Sequence, residues 1–248
     1  MNSLIDCDSL SFAYPGRSTC ALREVSLCLP AVGRIAIFGP NGSGKTTLLL
    51  HCNGILRPSS GAVHLYGHLL HYDHLSLRSL REKVGIVFQN PEDQLFSASV
   101  AQDISFGPLN LGLHPNEAKQ RVRSAAALCG VGDLLDRPTH GLSGGEKARV
   151  ALAGVLAMEP QILLADEPMA NLDPWMRRQV LAIFRRLVGM GRTVILATHE
   201  VELARHWAEW LVIMEGGQAI ASATAAEVLA NPQWVKRLGL DRPWYHEG

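Results

Sequence analysis

Residues 33–58 read "GRIAIFGPNGSGKTTLLLHCNGILRP", and the fold turns on this stretch. A compact apolar run, "RIAIF", enters a glycine-rich turn and leaves it through a lysine and a helix-forming segment that Pro58 stops. Strand, glycine turn and helix together open an α/β unit. The turn matches G-x-x-x-x-G-K-[ST] at Gly39, Gly44, Lys45 and Thr46. An ordinary turn beside a surface lysine needs neither the strand before it nor the helix after it. Glycine removes Cβ clashes, so successive N–H groups can curl around phosphate oxygens, and the helix N-terminus adds a favourable field. Gly39, Asn41, Gly42, Ser43, Gly44, Lys45, Thr46 and Thr47 are therefore candidate phosphate-binding residues. Lys45 is suited to β and γ phosphates, and the Thr46 hydroxyl to Mg²⁺.

Upstream of this stretch, residues 3–30 read as short β segments broken by "YPGRS". Downstream, from "GAVHLYGHLLHYD" to "KVGIVFQN", the pattern is strand, turn and strand again. Residues 97–141 then turn helical, with Pro115 at a first-turn position of "PNEAKQRVRSAAALCG" and glycines closing the segment. After them the strands "QILLAD", "TVILAT" and "WLVIME" alternate with the helices "PWMRRQVLAIFRRLVG" and "EVELARHWAEW", the rhythm of a sheet covered on both faces. The expected organisation is one domain over residues 1–248. Its core lies at about 1–96 and 142–220, an inserted helical subdomain at about 97–141, and a short tail with one helix, "TAAEVLAN", at 221–248.

Acids and other polar side chains gather at strand ends, where open α/β sheets collect ligands. "ILLADEP" ends in Asp166, placed to bind Mg²⁺, and Glu167, a carboxylate that can orient or deprotonate an attacking water. Gln89 follows "VGIVF" and is a candidate for the metal or the water; His199 follows "TVILAT" and is a candidate for sensing a γ phosphate. A second glycine-framed helix start, "HGLSGGEKARVALAG" at residues 140–154, has Ser143 as N-cap beside Gly144 and Gly145. The chain thus holds two such starts, of which the first already suffices for a phosphate.

The composition excludes several classes. Lys plus Arg and Asp plus Glu number 23 each, so no positive field collects nucleic acid and no polybasic run holds anionic lipid. Five cysteines with no C-x-x-C pair argue against a disulfide framework or zinc knuckle and fit a reducing cytoplasm. The first residues lack the basic flank and apolar core of a leader, and no run reaches the length of a membrane span.

Taken in order, "GPNGSGKTT", Gln89, "LSGGE", "LLADEP", "NLD" and "ATHE" resemble the motif set of the ATP-binding-cassette ATPases over nearly the whole chain. The resemblance implies a P-loop NTPase of ABC type, α/β, with a mixed sheet core, an antiparallel β subdomain and an inserted helical subdomain. It implies ATP and Mg²⁺ as ligands and Tyr14 in "FAYPG" as the aromatic that stacks on adenine. It also gives the second helix start a use: Ser143, Gly144 and Gly145 close over ATP held by a second copy in a head-to-tail homodimer, with Asp173 at the same interface. A contact that exists only while the γ phosphate is present turns hydrolysis into opening.

"VGIVFQNPEDQLFSASVAQDISFGPLNLGL" resembles the corresponding segment of ATPases from energy-coupling-factor importers. That likeness implies a transmembrane coupling protein and a substrate-binding membrane component as partners, and a place on the cytoplasmic face of the cell membrane. Glu92, Asp93, Gln94, Leu95 and Phe96 become the candidate coupling surface. Cobalt is the expected cargo because the short tail is more like the dedicated cobalt, nickel and biotin systems; nickel or biotin is the alternative. A soluble cassette ATPase acting on DNA or ribosomes is a different class, and the neutral charge and the absence of a coiled-coil insertion speak against it. His64, His68, His71 and His74 read as a solvated hairpin, since strand alternation scatters them between faces. Glu146 is expected to point along its helix, or to pair with Lys147 or Arg149, because a carboxylate aimed at a triphosphate is repelled.

Overall fold

The computed structural model describes residues 3–170 and 172–237; Asn171 of "NLD" and residues 238–248 of the expected tail lie outside the described residues. The chain forms two compact units, one of residues 1–80 with 195–248 and one of residues 81–194.

The first unit begins with β1 (Ser3–Phe12) and β2 (Leu22–Pro30), which pair antiparallel, followed by β3 (Arg34–Phe38) and α1 (Lys45–Cys52). Next come β4 (Ser60–Leu65), β5 (His68–Leu69) and α2 (His74–Lys83), within which the chain passes into the second unit after Leu80. The second unit continues with β6 (Val84–Val87), α3 (Val100–Asn110), α4 (Pro115–Cys129), α5 (Gly144–Leu156), β7 (Ile162–Asp166) and α6 (Pro174–Gly189). The boundary falls within β8 (Thr193–Thr198), after which α7 (Val201–Trp207), β9 (Trp210–Glu215), β10 (Gln218–Thr224), α8 (Ala225–Ala230) and α9 (Pro232–Arg237) return to the first unit.

Within the first unit β2-β1-β4-β5 make an antiparallel sheet, with Ile5 opposite both Leu29 and Leu65. Also in this unit, β3 runs parallel to β9, from Ile35 beside Trp210 to Phe38 beside Ile213, and β10 returns antiparallel along β9. Within the second unit β6 and β7 are parallel, and α3, α4 and α5 pack on one another. Every residue of β7 and β8 is buried, which is why these strands read as unbroken apolar runs and not as alternation.

Three elements depart from the sequence reading, and the tail, expected to hold one helix, holds α9 as well as α8. α1 stops at Cys52, short of Pro58, because Gly54 takes a left-handed φ of 69° and breaks the helical ladder. α2 replaces the expected run of strand and turn; Asp73 caps it by accepting from the N–H groups of Leu75 and Ser76, both at 3.0 Å. Leu80 is its only buried residue, so its apolar stripe is too thin to show periodicity. β10 is formed from "QAIASAT", small and weakly apolar, but the Gly216-Gly217 pair before it, both at positive φ, is a two-residue hairpin signal.

Candidate functional site

In the first unit β3 delivers the chain into the glycine loop. The Gly39 N–H donates to the Thr198 carbonyl at 3.3 Å, and the Gly217 N–H donates to that of Ser43 at 3.0 Å, so β8 and the β9–β10 turn anchor the loop. A Cβ on Gly39 would collide with the backbone oxygen of Met214. Gly44 precedes α1 at φ 102°, a left-handed conformation that glycine adopts without a Cβ penalty, and no side chain caps the helix. The amides of the first turn are thus left without an internal side-chain acceptor, and no acid lies in that turn. Lys45 is 5% exposed, and its Nζ donates to the carbonyls of Gly39 at 2.8 Å and Pro40 at 3.1 Å, folding back over the loop. Ser43 is 2% exposed, and its Oγ is buried with no hydrogen-bond partner. A buried hydroxyl without a partner costs about 1–3 kcal/mol, and an anion in the loop would relieve it. These residues fit a polyphosphate.

Tyr14 stands beside the loop, its hydroxyl sharing a 3.3 Å hydrogen bond with Thr47 Oγ1. Its ring meets Phe12 edge-on, and the Arg17 guanidinium lies 6.0 Å from its centre. His199 follows β8 directly and is exposed, as is the Thr46 hydroxyl-bearing residue at the start of α1. His51, fully buried on α1, takes part through Nδ1 in a 2.7 Å hydrogen bond with the Thr47 carbonyl, and burial pushes its pKa down.

In the second unit Asp166 ends β7 and is 4% exposed. Glu167 follows at φ 43°, a left-handed conformation that is uncommon for a residue with a Cβ and that collects at functional sites. Asp173 is committed as N-cap of α6: its Oδ1 accepts from the N–H groups of Trp175 at 2.8 Å and Met176 at 2.9 Å. Gln89 is exposed just beyond β6. Oxygen donors such as the Asp166 carboxylate and the Gln89 amide suit a hard cation such as Mg²⁺.

Ser143 and Gly144 are exposed at the start of α5. Here a full capping box closes the helix: Ser143 Oγ accepts from the Glu146 N–H at 3.4 Å, and Glu146 Oε2 accepts from the Ser143 N–H at 2.7 Å. Glu146 also pairs with Arg137 at 3.2 Å. Its bonds to Ser143, above all, hold its carboxyl below the usual range. The expected partners are otherwise engaged: Lys147 pairs with Glu92, while Arg149 donates to the carbonyls of Gly130 at 2.6 Å and Cys129 at 3.4 Å. Arg137 precedes the loop, a partner no helical spacing would reveal.

A family model described as ABC transporter matches residues 22–170. The chain belongs to the ABC transporter family. It is 43% identical over 98% of its length to the Energy-coupling factor transporter ATP-binding protein EcfA2 of Methanospirillum hungatei, and spans 61% of that protein's length. It is 45% identical, again over 98% of its length, to the Cobalt import ATP-binding protein CbiO of Rhodobacter capsulatus, 86% of which is covered. Among solved structures it is similar to cbiO1 from Clostridium perfringens, described as part of the ABC transporter complex cbiONQ. That match has a TM-score of 0.81 and 38% identity, and covers 98% of this chain and 97% of that one.

Of the candidate coupling residues, Phe96 is 65% exposed and meets Phe106 edge-on at 4.7 Å. Gln94 instead turns inward: its Oε1 accepts from the Phe88 N–H at 3.3 Å, and its Nε2 donates to the Ala151 carbonyl at 3.4 Å. The sequence reading also missed Asp103, which is buried and accepts from the N–H groups of Phe96 at 3.0 Å and Ser97 at 2.8 Å, turning the chain into α3. An acid in the first turn after a serine cap was the available signal. Among the described residues no group of three or more His, Cys, Asp or Glu side chains gathers to hold a metal; His64 and His68 lie on β4 and β5 opposite Leu69 and Leu65. No helix among the described residues is long and apolar enough to cross a membrane.

Proposed function

We propose that the chain is the ATP-binding and hydrolysing subunit of an energy-coupling-factor type membrane importer, with cobalt as the cargo and nickel or biotin as the alternatives. The observation that carries the reading is the uncapped start of α1, with the buried, unpartnered Ser43 hydroxyl beside it, in a chain related along nearly its whole length to ATP-binding proteins of such importers. The cobalt assignment rests on the 45% identity to a cobalt import protein.

In this reading the chain is a single nucleotide-binding domain with a helical subdomain inserted at about 97–141. Residues 39–47 hold the phosphates, Lys45 leaving the Gly39 and Pro40 carbonyls for β and γ oxygens, and Tyr14 receives the adenine. Thr46, Gln89 and Asp166 would hold Mg²⁺, which would supply positive charge against that of the phosphates. Glu167 orients the attacking water and takes up its proton, and His199 hydrogen-bonds the γ phosphate. Ser143, Gly144 and Gly145 serve the nucleotide of a second copy, and Asp173 lies at that contact. The dimer binds a transmembrane coupling protein and a substrate-binding membrane component from the cytoplasmic face, through a surface that includes Phe96. Coexpression with candidate membrane partners tests this: ATP-dependent uptake of labelled cobalt is expected and should be lost with Lys45→Ala. Uptake of nickel or biotin alone reassigns the cargo; co-purification with DNA or ribosomes and no membrane protein contradicts the reading.

A further inference from the structure

Within the second unit, the Gln89 segment is fastened to α5 at two successive turns. Lys147, in the first turns of α5, pairs with Glu92. Four residues on, and so on the same face of the helix, the Ala151 carbonyl accepts from Gln94 Nε2 at 3.4 Å. The other end of the same amide accepts from the N–H of Phe88, the residue before Gln89, at 3.3 Å. The segment is also stiffened from within, since Asn90 Oδ1 accepts from the Glu92 N–H at 3.2 Å and Asn90 Nδ2 donates to Asp93 Oδ1 at 3.3 Å. Beside the Lys147–Glu92 pair lies a cleft of about 140 Å³ with Phe88, Leu152, Val180 and Phe184 among its walls and Glu92 and Lys147 also lining it. At this cleft the apolar packing between the segment and α5 is incomplete, and the Lys147–Glu92 pair lies on its wall.

We infer that Lys147, Glu92 and Gln94 form a strut that sets Gln89 relative to Ser143, Gly144 and Gly145, so that Lys147 and Gln94 are positioning residues for ATP turnover. The inference rests on the reading that Gln89 and the Ser-Gly-Gly loop both meet nucleotide. A strut of this kind touches no ligand. Its loss misplaces groups needed in the transition state and acts on kcat, while substrate binding by the phosphate loop is left in place. Glu92 is 64% exposed at its side chain, so the pair is a weak, salt-screened one and its effect is bounded accordingly.

Steady-state ATP hydrolysis by the full chain, measured for wild type, Lys147→Met, the charge swap Glu92→Lys with Lys147→Glu, and Lys45→Ala, tests the strut. Lys147→Met is expected to lower kcat about three- to fivefold with KM within about twofold of wild type. The deficit should shrink at about 0.5 M salt, where exposed charges are screened in the wild type too. The swap should restore kcat to within about twofold, which a merely lost side chain would not allow. An unchanged kcat in Lys147→Met, a swap no better than the single variant, or a KM that rises in step with the fall in kcat overturns the strut. Normal hydrolysis by Lys45→Ala overturns the nucleotide-site reading itself, and that outcome is distinct from the other three.

Discussion

Two helices of this chain begin beside glycines, and they treat their N-terminal amides in opposite ways. α1 starts from Gly44 with no capping side chain, no acid in its first turn, and a buried Ser43 hydroxyl without a partner. α5 starts from Ser143 with a complete capping box and has Arg137 against the Glu146 carboxylate. A side-chain cap is worth about 1 kcal/mol, so α1 forgoes stability that α5 keeps. Similar glycine-rich letters therefore encode two different starting conditions: one helix end that lacks an internal anion, and one that supplies its own. The first suits a loop that holds nucleotide within its own chain. The second suits a loop that must stay formed on an exposed surface until another molecule's nucleotide reaches it.

The contrast can be broken most sharply at α1. Lys45→Ala should cut ATP turnover by about 100-fold or more, the scale on which a single donor to developing charge is worth, and an isothermal titration should show ATP binding weakened as well. At α5 the corresponding change is structural: Ser143→Ala should lower unfolding stability by about 1 kcal/mol in urea titrations while nucleotide binding by the same chain persists. Loss of nucleotide binding there would mean that both loops serve one chain's site.

Acid should act on α1 through His51. Burial holds its folded-state pKa below the ordinary 6.5, so between those two values the unfolded chain binds more protons than the folded one. Its contribution to stability is complete above about 6.5 and is lost as pH falls through that interval. Thermal midpoints should drop between pH 7 and pH 5, and His51→Gln should flatten that part of the profile. The smallest effect belongs to Glu146→Gln, which keeps an acceptor for the Ser143 N–H and gives up only the exposed pairing with Arg137. A stability change under about 0.5 kcal/mol and little change in ATP-dependent association are expected. A large gain in association would mean that the carboxylate opposes the incoming phosphate.

Much of this difference was legible in the letters. β3, the glycine loop and the start of α1 follow from an apolar run meeting G-x-x-x-x-G-K-T, and Ser143 with Glu146 three residues later is the capping-box pattern. What could not be read depends on contacts remote in sequence. Arg137 reaches Glu146 across the loop, Lys147 finds Glu92 fifty-five residues away, and Gln94 turns inward to Phe88 and Ala151. α2 was hidden for the opposite reason: with Leu80 alone buried, it has almost no stripe to detect.

The central claim, that the two loops of one chain serve different nucleotides, is tested most directly by the ATP-dependent mass of the Glu167→Gln variant in solution. With turnover blocked and ATP saturating, light scattering should give twice the 27.0 kDa of the chain, and adding Ser143→Arg to the same variant should return it to a monomer that still binds ATP. A Glu167→Gln protein that stays monomeric in saturating ATP, or a double variant that still dimerises, would contradict the account.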